Sequence, residues 1–293
     1  VTDLPATEGV DAGTAAIDRI ETSARVRLLI DSHRGAVDAV LAASDAVARA
    51  ADAVTAALRA NRNVLVLGAG TSGRLAVLDA SELPPTFNLS RERYAGRIAG
   101  GDGALRTSVE GAEDDAGLGA AAVAGVQRGD VVIGLSASGS ALFVIAALAA
   151  ARAAGALTIA IVNAPETALA RDADLAVETL TGAEPIAGST RMRAGTAQKI
   201  VLNTLSTAAM IALGKTYRNR MVDVVASNAK LRARARRLVR DIAGDVDAGA
   251  LLDAAGGSVK TAIVMARRGV GRGPAERLLE DAGGRLADLM DES

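Results

Sequence analysis

The sequence predicts an α/β protein built on a parallel sheet, and three observations predict it. Short apolar runs with β-branched residues, 64–67, 131–135 and 157–162, alternate with longer segments of helical apolar spacing. Runs apolar at every position read as strands covered on both faces. Two of them open directly into glycine- and hydroxyl-rich loops, Gly68-Ala-Gly-Thr-Ser-Gly73 and Ser136-Ala-Ser-Gly-Ser140, each followed by a helix. Repetition of strand, loop and helix gives a parallel sheet with helices on both faces, and ligands of such sheets bind beyond the carboxyl ends of the strands.

Taken in order, residues 1–13 are polar and read as an extended arm. Residues 15–30 carry Ile17, Ile20, Val26, Leu29 and Ile30 at roughly helical spacing, and 36–60 read as one long Ala-rich helix. The first strand and its glycine loop follow. The helix from Arg74 is expected to stop at Pro84-Pro85. Residues 96–99 read as a short strand and 107–115 as an acidic helix. The strand at 131–135 leads into an apolar helix reaching Ala154, and 157–162 and 175–177 complete the sheet. A polar loop, 181–193, precedes a helix at 194–213. Residues 228–241 form a basic helix, read as a solvated or subunit-contact face because no aromatics accompany its arginines. Two or three short glycine-punctuated helices follow. The expected domains are 1–60 (arm and packing helices), 61–240 (the sheet domain) and 241–293 (a small helical domain).

Composition narrows the chemistry. The 293 residues suffice for a full core, and a formal charge of −1 gives no electrostatic reason to expect nucleic acid or an anionic membrane. With no cysteine, disulfides and thiolate metal sites are excluded. One histidine, His33, makes a His-based metal site or a Ser-His-Asp triad a poor expectation; it reads as a capping or surface residue. Acid–base work falls to carboxylates, Lys or Tyr. The start of the chain lacks the basic and apolar regions of a signal peptide, and the long apolar stretches read as buried helices rather than membrane spans, so a cytoplasmic protein is expected.

The 68–73 loop fits Gly-x-Gly-x-x-Gly, which raises a dinucleotide site. That reading wants an acid about 20 residues on, at the end of a second strand, and Glu92 lies near that distance in a segment that is no strand. Thr71 and Ser72 inside the loop suit a compact phosphate instead, cradled by short donors at a helix N-terminus. A purely structural glycine turn is the bland alternative. Among the acids, Asp79 and Glu82, and likewise Glu110 and Glu113, stand three apart, which would give each pair a common helical face. Solvated acidic faces are the ordinary explanation; a base and an acid of opposite roles is the functional one. Spacing does not choose among the four.

Longer motifs carry a resemblance. Gly68-Ala-Gly-Thr-Ser-Gly-Arg74, Leu78-Asp-Ala-Ser-Glu-Leu-Pro-Pro-Thr86, Ile98-Ala-Gly-Gly101 and Val109-Glu-Gly-Ala-Glu-Asp114 resemble those of the N-acetylmuramic acid 6-phosphate etherases. So do Gly188-Ser-Thr-Arg-Met-Arg-Ala-Gly-Thr-Ala-Gln-Lys199, Met221-Val-Asp-Val-Val-Ala-Ser-Asn228 and Lys260-Thr-Ala-Ile-Val-Met265, in order over nearly the whole chain. The resemblance implies a SIS (sugar isomerase) domain, a flavodoxin-like three-layer sandwich, with a small helical C-terminal domain. It also implies a cofactor-free, metal-free lyase that releases D-lactate from a muramic acid phosphate in murein recycling and amino-sugar catabolism.

That family's functional glutamates fall on Glu82, at the ether oxygen and then on water, and Glu113, at C2. The implied phosphate ligands are Gly70, Thr71, Ser72, Gly73, Ser136, Ser138, Gly139 and Ser140, with Ser189, Thr190 and Arg191 as further ligands. One departure stands out: the family's Ser-Gly-Arg-Thr-Pro is Ser138-Gly-Ser-Ala-Leu142 here, so an Arg and a Thr hydroxyl are missing. Glu82 stands about eight residues beyond the loop, ~12 Å of helix, which points to a bent helix or to a site shared in a homodimer. Rival readings are a phosphosugar isomerase or deaminase on the same scaffold, and a non-enzymatic phosphosugar sensor.

Overall fold

The computed structural model describes residues 6–224 and 229–290. The expected motif segment 225–228 lies outside the described residues. Two short 3-10 turns, Ala6–Glu8 and Ala12–Thr14, precede α1 (Thr22–Ser32), α2 (Arg34–Ala42) and α3 (Ser44–Arg59). The helix expected from residue 15 begins only at Thr22. Arg25 donates to the carbonyls of Ile17, Asp18 and Ile20, which holds that stretch in turns instead. The single helix expected over 36–60 is two, broken at Ala43 (φ −94°, ψ 8°).

The βα segment continues as β1 (Val64–Gly68), α4 (Gly70–Phe87), β2 (Tyr94–Ile98), α5 (Ala116–Ala121), β3 (Val131–Ser136), α6 (Leu142–Ala153), β4 (Leu157–Val162), α7 (Ala168–Asp172), β5 (Leu175–Glu178) and α8 (Arg193–Ala212). The five strands form one parallel sheet in the order β2-β1-β3-β4-β5. β1 and β3 are buried along their whole length, as the uniformly apolar runs predict. On one face Leu65, Leu67, Val132, Ala160 and Val162 pack with Val144, Ala147, Leu148 and Ala151 of α6. By strand alternation Val66, Ile133 and Ile159, which are cross-strand neighbours, point to the other face.

Two expectations fail for local reasons. α4 is not stopped by Pro84-Pro85 but runs through both to Phe87. The missing prolyl N–H groups cost it internal hydrogen bonds, and Asn88 N closes the end on the Pro84 carbonyl at 3.0 Å. The acidic helix over 107–115 does not form. Gly111 takes a left-handed conformation (φ 72°, ψ −6°), leaving only a 3-10 turn at Ala112–Asp114, after which Asp115 caps α5 through Leu118 N. Glu110 and Glu113 therefore do not share a helical face.

The chain divides into two compact units, 1–81 with 92–206, and 82–91 with 207–293. The second unit takes in 82–91 and everything from Thr207 on. It holds the hairpin β6 (Thr216–Tyr217) and β7 (Arg220–Met221), and α9 (Ala229–Ala243), α10 (Ala248–Ala254), α11 (Val259–Arg268), α12 (Arg272–Asp281) and α13 (Ala287–Met290). α9 belongs to the core of this unit. Its outer face is basic, but Ala235, Leu238 and Val239 join one core with Leu252, Ile263, Leu279 and Leu286. Among the described residues no helix is long and apolar enough to cross a membrane.

Candidate active site

The order β2-β1-β3-β4-β5 reverses direction between β1 and β3, where crevices form in open α/β sheets. Gly68 pairs with Leu135 across that junction, so the glycine loop after β1 and the serine loop after β3 leave the sheet side by side. Gly68 and Gly73 set the packing. A Cβ on Gly73 would fall 2.4 Å from the Gly68 carbonyl oxygen and 2.6 Å from Ile98, so the first turn of α4 is pressed onto the strand ends. Gly70 (φ +52°) has open space around its missing side chain; there the requirement is backbone conformation. The first N–H groups of α4 have no carbonyl of their own helix to bond and point outward at the positive end of its dipole.

A hollow of about 300 Å³ lies over this junction. Gly70, Thr71, Ser72, Ser136, Ser138, Ser140 and Thr190 line it, together with Gly188, Glu8, Glu113 and Asp114. A second hollow of about 190 Å³ is lined by Gly70, Arg74, Ser108, Glu110 and Glu113. Glu113 thus faces both. Of the sequence-derived ligands, Gly73, Gly139, Ser189 and Arg191 line neither hollow, and Glu82 lies on α4 in the residue range of the second unit.

The hydroxyls are not equivalent. Ser72 Oγ donates to Gln198 Oε1 at 2.8 Å, Gln198 Nε2 to Asn163 Oδ1 at 2.9 Å, and Asn163 Nδ2 to Thr179 Oγ1 at 2.8 Å. Asn163 N also holds the serine loop through the Ala137 carbonyl at 3.0 Å. With its one proton committed, Ser72 can offer an anion its backbone N–H but not its hydroxyl. Ser136 Oγ accepts from Gly139 N at 3.0 Å and so shapes the loop. Gly139 (φ +69°) is required there, since a Cβ would meet Thr167 at 2.4 Å. Ser138 and Ser140 share a hydrogen bond of 2.7 Å, which leaves one of the two protons for a ligand. Among the described residues no Lys or Arg lines the larger hollow. Arg74, the nearest basic residue of the loop, is occupied by the carbonyls of Leu105 and Ala104 at 3.1 and 2.8 Å.

Sequence reasoning passed over several supports. Glu184 is fully buried and accepts from Arg193 N at 2.8 Å and Ala194 N at 2.9 Å, capping α8 beside the Gly188–Thr190 turn. Only its place nine residues ahead of a helix hinted at this. Asp79, weighed as a catalytic acid, is buried and accepts from Tyr94 Oη at 3.0 Å and Ser206 Oγ at 3.1 Å. Burial, then the adjacent Asp79 charge, raises the Tyr94 pKa well above its usual value. His33 is half-buried, with Nδ1 3.0 Å from Thr196 Oγ1.

A glycine loop and a hydroxyl loop meeting at the reversal of a five-stranded parallel sheet define a protein of the SIS-domain class. Residues 107–208 match the SIS domain family, and 46–152 match the glucokinase regulatory protein N-terminal SIS domain. The fold is similar to that of a phosphoheptose isomerase from Francisella tularensis (TM-score 0.50, 20% identity, covering 66% of this chain and 100% of that one). Over its whole length the chain is 48% identical to the N-acetylmuramic acid 6-phosphate etherase of Deinococcus radiodurans, covering 97% of it. It is 47% identical to the enzyme of that name from Gloeobacter violaceus (98% of this chain, 95% of that one) and 44% identical to that from Mycolicibacterium smegmatis (95% of each). The chain belongs to the N-acetylmuramic acid 6-phosphate etherase family, a family of carbon–oxygen lyases.

Proposed function

We propose that this protein cleaves the D-lactyl ether of N-acetylmuramic acid 6-phosphate by elimination followed by hydration, giving N-acetylglucosamine 6-phosphate and D-lactate in murein recycling. Besides the family likeness, one observation carries the reading: Glu113 faces both hollows at the mouth of the glycine and serine loops. The phosphate lies against the N-terminus of α4, held by its backbone N–H groups, Thr71 and the Ser138/Ser140 pair. With the sugar ring open, the C2 proton is acidified by the C1 aldehyde. Glu113 takes that proton, and its electron pair becomes the C2=C3 bond as the C3–O bond breaks. Glu82 gives its proton to the departing lactyl oxygen. It then deprotonates the water that adds at C3, while C2 takes a proton back. No redox or electron-sink cofactor enters these steps.

Glu82 lies on α4, in the residue range of the second unit; a homodimer in which a second copy delivers it is the arrangement the family likeness suggests. The chemistry and the absence of any long apolar helix among the described residues are consistent with a cytoplasmic enzyme. The test is D-lactate release from N-acetylmuramic acid 6-phosphate by the parent, Glu82→Gln and Glu113→Gln, singly and mixed. Turnover by the parent, little by either variant, and partial recovery on mixing the two are expected. A parent that binds the sugar phosphate and frees no lactate overturns the reading.

A further inference from the structure

We propose that Glu8, from the segment ahead of α1, is a substrate-binding residue of the larger hollow, accepting hydrogen bonds from hydroxyl or amide donors of the sugar; the proposal rests on the phosphosugar reading above. Glu8 lines the hollow together with Thr71, Ser138, Thr190 and Glu113. Its Oε2 lies 2.9 Å from where a Cβ of Gly188 would be, so the carboxylate reaches across to the loop that carries Thr190. A glycine at 188 is what leaves room for it.

The segment that carries Glu8 is fixed on both sides. Thr7 is fully buried. Asp11 Oδ2 accepts from Arg193 Nη2 at 2.8 Å, and the same guanidinium donates to the carbonyls of Ser32 at 3.0 Å and Ala183 at 2.6 Å. Both side chains of the Asp11–Arg193 pair are largely sheltered, at 22% and 18% exposure, so it is a firmer anchor than a surface ion pair. Glu8 itself is exposed where it lines the hollow. Yet among the described residues the Glu8 carboxylate itself has no hydrogen-bond or ion-pair partner.

The chemistry of the hollow says what that partner is. An ionised carboxylate only accepts hydrogen bonds. A phosphate has nothing to donate to it and is repelled by it. The remaining polar groups of the ligand, the sugar hydroxyls and the acetamido N–H, are donors that the serine and threonine hydroxyls do not need. Glu8 and the helix N-terminus therefore sort the ligand end for end: phosphate to the N–H groups of α4, hydroxyl-bearing carbons toward Glu8.

The test is steady-state D-lactate release by the parent, Glu8→Gln and Glu8→Ala, with thermal midpoints and inhibition by inorganic phosphate measured on all three. The expected result is a KM raised about ten- to a hundred-fold, more in Glu8→Ala, from loss of a charge-assisted hydrogen bond. The midpoint and the phosphate inhibition constant should not move. An unchanged KM in both variants overturns the proposal. So does a raised KM accompanied by a fallen midpoint and weaker phosphate inhibition, which would make the segment a structural strap. If the parent frees no lactate, the etherase reading fails by itself. Calorimetric binding of N-acetylglucosamine 6-phosphate to the same three proteins then decides the role of Glu8, equal affinities overturning it.

Discussion

Glu184→Ala should be among the most damaging single changes near the site, although Glu184 touches no ligand in the proposed chemistry. Its carboxylate satisfies two N–H groups at the start of α8, and both it and Ala194 are fully buried. Truncation strands the buried Ala194 N–H and the part-buried Arg193 N–H, at about 1–3 kcal/mol for the first and less for the second. Loss of a negative charge at a helix N-terminus adds about 0.5–1 kcal/mol. Against this, the variant no longer desolvates a carboxylate, which returns part of the loss. A net destabilisation of about 3 kcal/mol follows from these terms. Glu184→Gln keeps one oxygen but turns an amide NH2 toward an N–H, so about 1–2 kcal/mol is expected rather than a silent substitution. Urea titration followed by far-UV circular dichroism reads both values, and the KM of the folded fraction should rise, because the cap holds the turn that bears Thr190. A loss below about 0.5 kcal/mol for Glu184→Ala would refute the reasoning, since two orphaned N–H groups cannot be that cheap.

Other expectations follow from the same hydrogen-bond accounting. Ser72→Ala should cost about 1–2 kcal/mol by removing the donor to buried Gln198, whereas Thr71→Ala should leave stability within about 0.5 kcal/mol and raise KM; equal stability losses in paired urea titrations would contradict the division. Gly73→Ala places a methyl 2.4 Å from a backbone oxygen, and should lower the thermal midpoint and weaken phosphate inhibition together; a variant with parent-like values would refute the close-packing argument. The Tyr94 pKa is raised in the folded state, so its neutral form stabilises the fold fully below the unfolded value of about 10, and that stability is lost as pH climbs from there toward the folded pKa. Tyr94→Phe should therefore flatten the alkaline limb of the stability curve while costing about 1–2 kcal/mol at neutral pH, because Asp79 loses a hydroxyl donor. An alkaline limb unchanged in Tyr94→Phe would assign it to other groups.

The sheet was legible because its signal is compositional. A strand buried on both faces is apolar nearly throughout, and β1, β3 and β4 are, with Ser136 and Thr158 the buried hydroxyl residues in β3 and β4. The glycine loop was legible because only glycine fits the close approaches at 68 and 73. What the sequence hid was set by partners far away in the chain. Ser72 looks like a free hydroxyl until Gln198, 126 residues on, takes its proton. Asp79 looks like half of an acid pair until Tyr94 and Ser206 enclose it. The acidic segment at 107–115 has helical spacing on paper, but one left-handed glycine outweighs it, and the outcome places Glu113 at the hollow by a turn instead of a helix face. The prolines of α4 mislead in the other direction: the helix keeps its course through Pro84 and Pro85.

The departure in the serine loop fits the electrostatics of the hollow. Where the resemblance would place an Arg, this chain has Ser140, and among the described residues no cation lines the hollow. A guanidinium there would grip the phosphate as a charge. On the proposed reading, the N–H groups of α4 and the Ser138/Ser140 pair would stabilise the phosphate through dipoles whose influence fades within about one helical turn. On this argument the grip on phosphate is looser than with an Arg, and the binding energy must come from the rest of the sugar. That is the end of the ligand at which Glu8 stands, held in place by Asp11 and Arg193.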